Sequence, residues 1–167
     1  MLSFTRKTDY ALIALAHIVH KNNRCCSARE IATHYGMPIP LLMNVLKSLH
    51  HAGLARSERG PRGGYQLAQD PKEITLCEIV EAVNGPFTLT RCQEEPDPTL
   101  SVDAKYGNCE LSGKCPVRSQ VHVVYERMVS FLKNCTLADI TGESVCPDEV
   151  NNTTEPGVSE NEVAHLS

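Results

Sequence analysis

Residues 27–68 read SAREIATHYGMPIPLLMNVLKSLHHAGLARSERGPRGGYQLA. Ser27 and Glu30 stand three apart before an apolar pair, Ile31 and Ala32. This is the pattern of a capping box, in which hydroxyl and carboxylate each satisfy an orphan amide of the first helical turn. Tyr35-Gly36 stops that helix. Pro38 and Pro40 then suit a turn and a first helical position, because proline lacks the amide that would be unpaired there. Over 40–52, Leu42, Val45, Leu46 and Leu49 form one apolar face, and Gly53 ends the helix. Two short helices joined by a tight, Gly-containing turn make a helix-turn-helix. Two extended runs, Leu54–Glu58 and Tyr65–Ala68, flank a turn rich in Gly and Arg. They predict a β-hairpin, the wing of a winged helix.

Before this unit, the apolar face Leu12, Leu15, Ala16 and Val19 predicts a helix from about Thr8 to Lys21. Asp9 and the amphipathic spacing set this segment apart from a secretion signal, and no apolar run approaches membrane-spanning length. The expectation is a cytoplasmic protein without a membrane partner, where cysteines more often bind metal or react than form stable disulfides. After the wing, Thr75 and Glu78 make another capping box for a helix carrying Leu76, Ile79, Val80 and Val83, stopped by Asn84-Gly85-Pro86. From Pro116, Val117, Val121, Val124, Met128, Phe131 and Cys135 recur at spacings of four, three, four, three and four. That is an a/d seam, which predicts dimerisation along this helix; the alternative is a helix packed on its own core. Thr136 and Asp139 look like a final short cap, and the acidic, apolar-poor chain from 141 reads as a disordered tail.

The fold class is therefore mainly α with a small β-hairpin: a winged helix-turn-helix plus a long dimerisation helix. Three regions follow, 1–72 for DNA binding, 73–140 for a cysteine loop and dimer helix within the same unit, and 141–167 as the tail. Charge divides the same way. The net charge of the 167 residues is −4, yet residues 1–72 carry ten Lys/Arg against four Asp/Glu and residues 73–167 carry six against sixteen. Such a split predicts a basic half facing double-stranded DNA and a separate acidic half.

On the helix over 40–52, Pro40, Asn44, Lys47 and His51 point away from the core. Asn44 suits an adenine edge, Lys47 a phosphate, and Leu41 and Met43 thymine methyls. Taken alone, Asn44 and Lys47 are better read as solvated residues; the wing shifts the balance toward the DNA reading. Arg59 and Arg62 sit at a tip whose glycines, Gly63 among them, allow close backbone approach, as a narrow minor groove requires. A phosphate-binding P-loop is excluded, since no Gly-Lys-Ser/Thr follows. Ser27, Pro38 and Ile39 complete the candidate DNA contacts.

Eight cysteines remain to be explained. Cys92, Cys109 and Cys115 fall in one Pro-, Gly- and acid-rich segment, spaced by sixteen and five residues. Zinc prefers closely paired cysteines. Iron–sulfur ligation tolerates wider spacing. A thiol switch and plain unligated cysteines also remain open. Cys115 precedes Pro116 at a helix start, where the dipole favours a thiolate. Cys25, Cys26, Cys77, Cys135 and Cys146 read as ordinary small residues. No acid/base or nucleophile constellation stands out, so an enzyme is not expected.

The stretches TDYALIAL, RGPRGGYQLAQDP, TLCEIVEAVNGP, LTRC, CELSGKCPVR and LKNCTLADI, in this order, resemble the bacterial winged-helix iron–sulfur regulators, IscR- and NsrR-like. The likeness spans about residues 1–140. MPIPLLMNVLKSLHHAGLARSERG and NGPFTLTRC look most like members thought to regulate the SUF iron–sulfur assembly operon. The resemblance implies a homodimer on an operator of two half-sites, with a [2Fe-2S] or [4Fe-4S] cluster held by Cys92, Cys109 and Cys115. It also implies that cluster state controls DNA binding, and that positions 38–44 and Arg59 contact DNA. Two features depart from the family. Sixteen residues lie between the first two cysteines where about five are usual, and Arg118 stands where IscR-like members place a histidine ligand. Asp9 matches the aspartate that NsrR-like members supply from the partner subunit. Its other reading is a helix cap. His122 lies seven residues beyond Cys115.

Overall fold

The computed structural model of the chain describes residues 4–60, 63–94, 109–111 and 114–142. Helix α1 (Arg6–His20) packs against α3 (Ile39–His51) and α4 (Leu76–Asn84), with α2 (Ala28–Tyr35) laid on α3. Strands β1 (Ala55–Glu58) and β2 (Gly64–Leu67) follow α3 as an antiparallel pair, with Ala55 opposite Leu67 and Glu58 opposite Gly64. A single 3-10 turn, Arg91–Gln93, comes before the long α5 (Arg118–Asn134) and the short α6 (Leu137–Thr141). The mainly α fold with a small β-hairpin and a winged helix-turn-helix, expected from the sequence, is what the structure shows, and a long helix follows it.

One apolar core joins α1, α2, α3, α4, the hairpin and α6 through Leu15, Ile31, Leu46, Leu67, Ile79 and Leu137. Full burial of such side chains contributes about 1.5–3 kcal/mol each. On α1 the sealed face is Ala11, Ala14, Leu15 and Ile18, while Leu12 and Ala16 are half-buried. The true face is thus turned by about one position from the expected one. Helix α1 also begins two residues early. Thr5 is its N-cap, accepting a hydrogen bond from the Thr8 amide, so the cap is not Asp9, which sits exposed in the first turns.

The expected capping boxes close on α4, through Thr75 and Glu78, and on α6, through Thr136 and Asp139. Hydrogen bonds from the Thr136 hydroxyl and amide hold the Asp139 carboxyl below its ordinary range. On α2 the Ser27 hydroxyl accepts from the Glu30 amide at 3.1 Å, but Glu30 does not reach back. Its carboxylate is turned toward His17, 3.6 Å away.

The wing root is tied to the helices. Cys26 and Tyr65 exchange backbone hydrogen bonds of 2.9 and 2.8 Å, and the Leu67 amide donates to the Asn23 side chain at 2.7 Å. Gly64 is forced here, because a Cβ would lie 2.3 Å from the Cys26 carbonyl oxygen.

Candidate nucleic-acid interface and thiol loop

Helix α3 presents its first turn outward. Pro38 is the N-cap and Pro40 falls in that turn, as the missing proline amide favours. Pro38, Ile39, Pro40, Asn44, Lys47 and His51 are exposed, and Leu42, Val45, Leu46 and Leu49 are buried. Leu41 and Met43 are half-buried, Met43 packing partly on the core. Ile39 is 42% exposed at the helix tip, an apolar surface suited to thymine methyl contact. Ser27 is half-buried; its oxygen accepts the α2 cap bond, which leaves the hydroxyl proton to donate. Arg59 is exposed at the end of β1, while Arg62 lies outside the described residues. The tip folds through Gly60, at φ +132, and Gly63, whose amide donates to the Gly60 carbonyl at 2.9 Å. A Cβ on Gly63 would lie 2.4 Å from the Glu58 carbonyl oxygen, so only glycine closes this turn.

The thiol segment starts from α4. Thr5 donates to the Asn84 side chain at 2.7 Å, and Asn84 donates to Thr8 at 2.7 Å. The start of α1, next to Asp9, is thereby fastened to the last residue before the cysteine loop. The sequence offered no signal for this link, since Asn84 reads as a helix stop.

Cys92 lies in the 3-10 turn, its Sγ 3.1 Å from the Thr90 hydroxyl. Gln93 Oε1 accepts from the amides of Leu89 and Thr90 and braces the turn. Cys109 and Cys115 lie beyond the acidic insertion, most of which (95–108) is outside the described residues. All three thiols are free and half-buried. Helix α5 starts at Arg118, later than expected, so Cys115 stands two residues before its N-cap Val117. His122 is exposed and pairs with Glu126 at 3.2 Å. Among the described residues, the one set of at least three His, Cys, Asp or Glu ligand atoms within 4.8 Å of one another is His17, Cys26 and Glu30. The three loop thiols are therefore not gathered as a single zinc ion would hold them, at about 3.8 Å from one another.

Along α5 the predicted seam faces water in the single chain. Val117, Val124 and Phe131 are 54%, 49% and 56% exposed, and Val121 and Met128 are half-buried. Leu132, at the edge of that face, is the buried residue of α5 and packs with Leu76, Cys77 and Val80 of α4.

The signature of the Rrf2 family, described as iron-dependent transcriptional regulators, matches residues 4–143. The chain belongs to the Rrf2 family. It is similar to the HTH-type transcriptional regulator IscR of Serratia proteamaculans, 29% identical over 157 residues, which are 92% of this chain and 89% of that protein. The solved structure of T. potens IscR is 25% identical, with a TM-score of 0.59 over 85% of this chain and 88% of that one. CymR, the global cysteine regulator of B. subtilis, shares the fold at a TM-score of 0.62 and 24% identity, over 86% of this chain and 99% of its own. As an Rrf2 protein the chain is a DNA-binding transcriptional regulator, from a family of regulators rather than enzymes. Among the described residues no helix is long and apolar enough to cross a membrane.

Proposed function

We propose that this Rrf2 regulator acts as a homodimer whose affinity for a two-half-site operator is set by an iron–sulfur cluster, with iron–sulfur assembly genes as its targets. Cys92, Cys109 and Cys115 would hold the cluster, and Asp9 of the second subunit would complete it. The observation that carries this reading is three free, half-buried thiols in a loop fastened through Asn84 to α1. The donor set fits. Thiolates favour iron–sulfur chemistry, and several iron atoms spread their ligands wider than one ion does.

When bound, the cluster supplies cross-links among the loop thiols and one weakly held iron position at the carboxylate. The chain's own residues do the rest. Asn84 passes a change of loop position to the start of α1, and α1 packs on α3. Helix α5 sets the spacing of two reading heads through its seam. Asn44 and Ile39 face the bases, Ser27 and Lys47 the phosphates, and Arg59 the minor groove beside the wing. A nitric-oxide- or redox-sensing repressor of the same family is the second reading. Arg118 in the histidine position and the exposed Asp9 on α1 favour it, because a carboxylate leaves iron more easily than imidazole.

Purification without oxygen tests the proposal. The protein is expected to carry iron and acid-labile sulfide, and to lose both in Cys92→Ala and Cys109→Ala. Affinity for a two-half-site duplex should change by about tenfold or more between loaded and stripped forms. A colourless protein whose affinity ignores iron and sulfide would end this reading.

A further inference from the structure

We propose that His17, Cys26 and Glu30 form a second metal site, for a thiophilic divalent ion of the zinc class, at the joint of α1, α2 and the wing. The three residues come from separate places in the chain. His17 is on α1, Cys26 is in the connection before α2, and Glu30 is in the first turn of α2. Their ligand atoms lie within 4.8 Å of one another. Bonds of about 2.0–2.3 Å at tetrahedral angles place neighbouring ligand atoms about 3.3–3.8 Å apart. His17 Nε2 and the Glu30 oxygen are 3.6 Å apart, a fit for an ion between them and too long for a hydrogen bond.

His17 is the second observation. It is 4% exposed, and its buried Nε2 has no hydrogen-bond partner. Its Nδ1 lies 3.3 Å from the Tyr35 hydroxyl. With the ring proton on Nδ1 and donated to Tyr35, Nε2 keeps a bare lone pair, 3.6 Å from the Glu30 carboxylate. Metal-binding histidines are commonly oriented in this way by a partner on the other ring nitrogen. Glu30 forgoes the return arm of the Ser27 capping box and turns its carboxylate to the same point.

Cys26 is buried, with its thiol 3.4 Å from the Arg24 carbonyl oxygen. Burial, and then Glu30, push its pKa up, so without an ion it is a thiol. Binding an M²⁺ ion forms the sulfur–metal bond and releases the thiol proton to solvent. One nitrogen, one sulfur and one oxygen donor suit zinc, and the cleft reaching Thr33 and His34 leaves room for a fourth donor.

The site has a mechanical meaning. Cys26 is hydrogen-bonded in both directions to Tyr65 of β2. An ion here would fasten α1 to the start of α2 and to the wing root, and so hold the wing at a fixed angle to α3. This is independent of the loop thiols.

The test uses the full chain with Cys92, Cys109 and Cys115 all changed to Ser, which separates it from the cluster. Cobalt(II) is the probe. One ion per chain is expected, with sulfur-to-cobalt charge-transfer absorption that zinc displaces. Cys26→Ser should remove that absorption and Cys25→Ser should leave it. Tyr35→Phe should weaken binding by about tenfold, the scale of a lost supporting partner. Zinc should raise the thermal midpoint of the parent chain but not that of Cys26→Ser. No sulfur-to-cobalt absorption in the parent would overturn the proposal. So would absorption that survives Cys26→Ser or disappears in Cys25→Ser.

Discussion

The DNA-reading head and helix α5 meet water in opposite ways. In the head, Leu15, Ile31, Leu42, Leu46 and Leu49 are all sealed at 0% exposure. In the 17 residues of α5, Leu132 is the one buried side chain, while Val123, Val124 and Phe131 stand open. A head of that kind can hold its shape within one chain. A helix with one buried residue draws less stability from packing than the head's helices do, and isolated helices of this length are marginal in water. The head is a finished part, while α5 keeps an apolar face open to water in the single chain.

The sharpest break between the two comes from equivalent truncations and charges placed in each. Leu46→Ala removes a fully buried side chain from α3 and should cost about 2–5 kcal/mol of folding stability, read as a lowered thermal midpoint. A loss under about 0.5 kcal/mol would mean that the head core is looser than described. Val124→Asp should behave differently. Val124 is half-exposed in one chain, so folding should change little. Dimerisation should weaken by about 2–4 kcal/mol, since each copy would bury an unpaired charge. Sedimentation velocity distinguishes the outcomes. A dimer that persists in Val124→Asp places the interface elsewhere. The smallest effect belongs to the wing tip. Arg59→Ala should leave folding and dimerisation alone, weaken DNA binding by about 1 kcal/mol and lower the salt slope by about one. An unchanged slope in a binding titration removes Arg59 from the interface.

The head was also the more legible region. Helix α3 falls within one residue of its expected bounds, with Pro40, Asn44, Lys47 and His51 exposed as their spacing predicts. Both strands lie within one residue of expectation, because Gly and Arg punctuate that turn strongly. Errors arose where polar residues compete locally. Thr5, Thr8 and Asp9 all suit a helix start, and Thr5 takes the cap, with its hydroxyl bonded to Asn84, 79 residues away. Ser27 and Glu30 read as a full box, yet Glu30 answers to His17 instead. No local pattern reports such a partner. The grouping of His17, Cys26 and Glu30 was invisible for the same reason, as was the bracing of Cys92 by a 3-10 turn. The apolar period on α5 was legible, and much of it stands exposed in the single chain.

Hydrogen exchange, compared between cluster-loaded and cluster-stripped protein, tests the contrast of regions most directly. Exchange reports the opening free energy of each segment. Large gains of protection on loading are expected within 84–94 and 114–134 and at the start of α1. The amides of Leu42, Val45, Leu46 and Leu49 should exchange at nearly the same slow rate in both forms. Equal protection of the loop and α5 in the two forms, or a loss of protection at Leu42–Leu49 as large as that in α5 on stripping, would contradict that contrast.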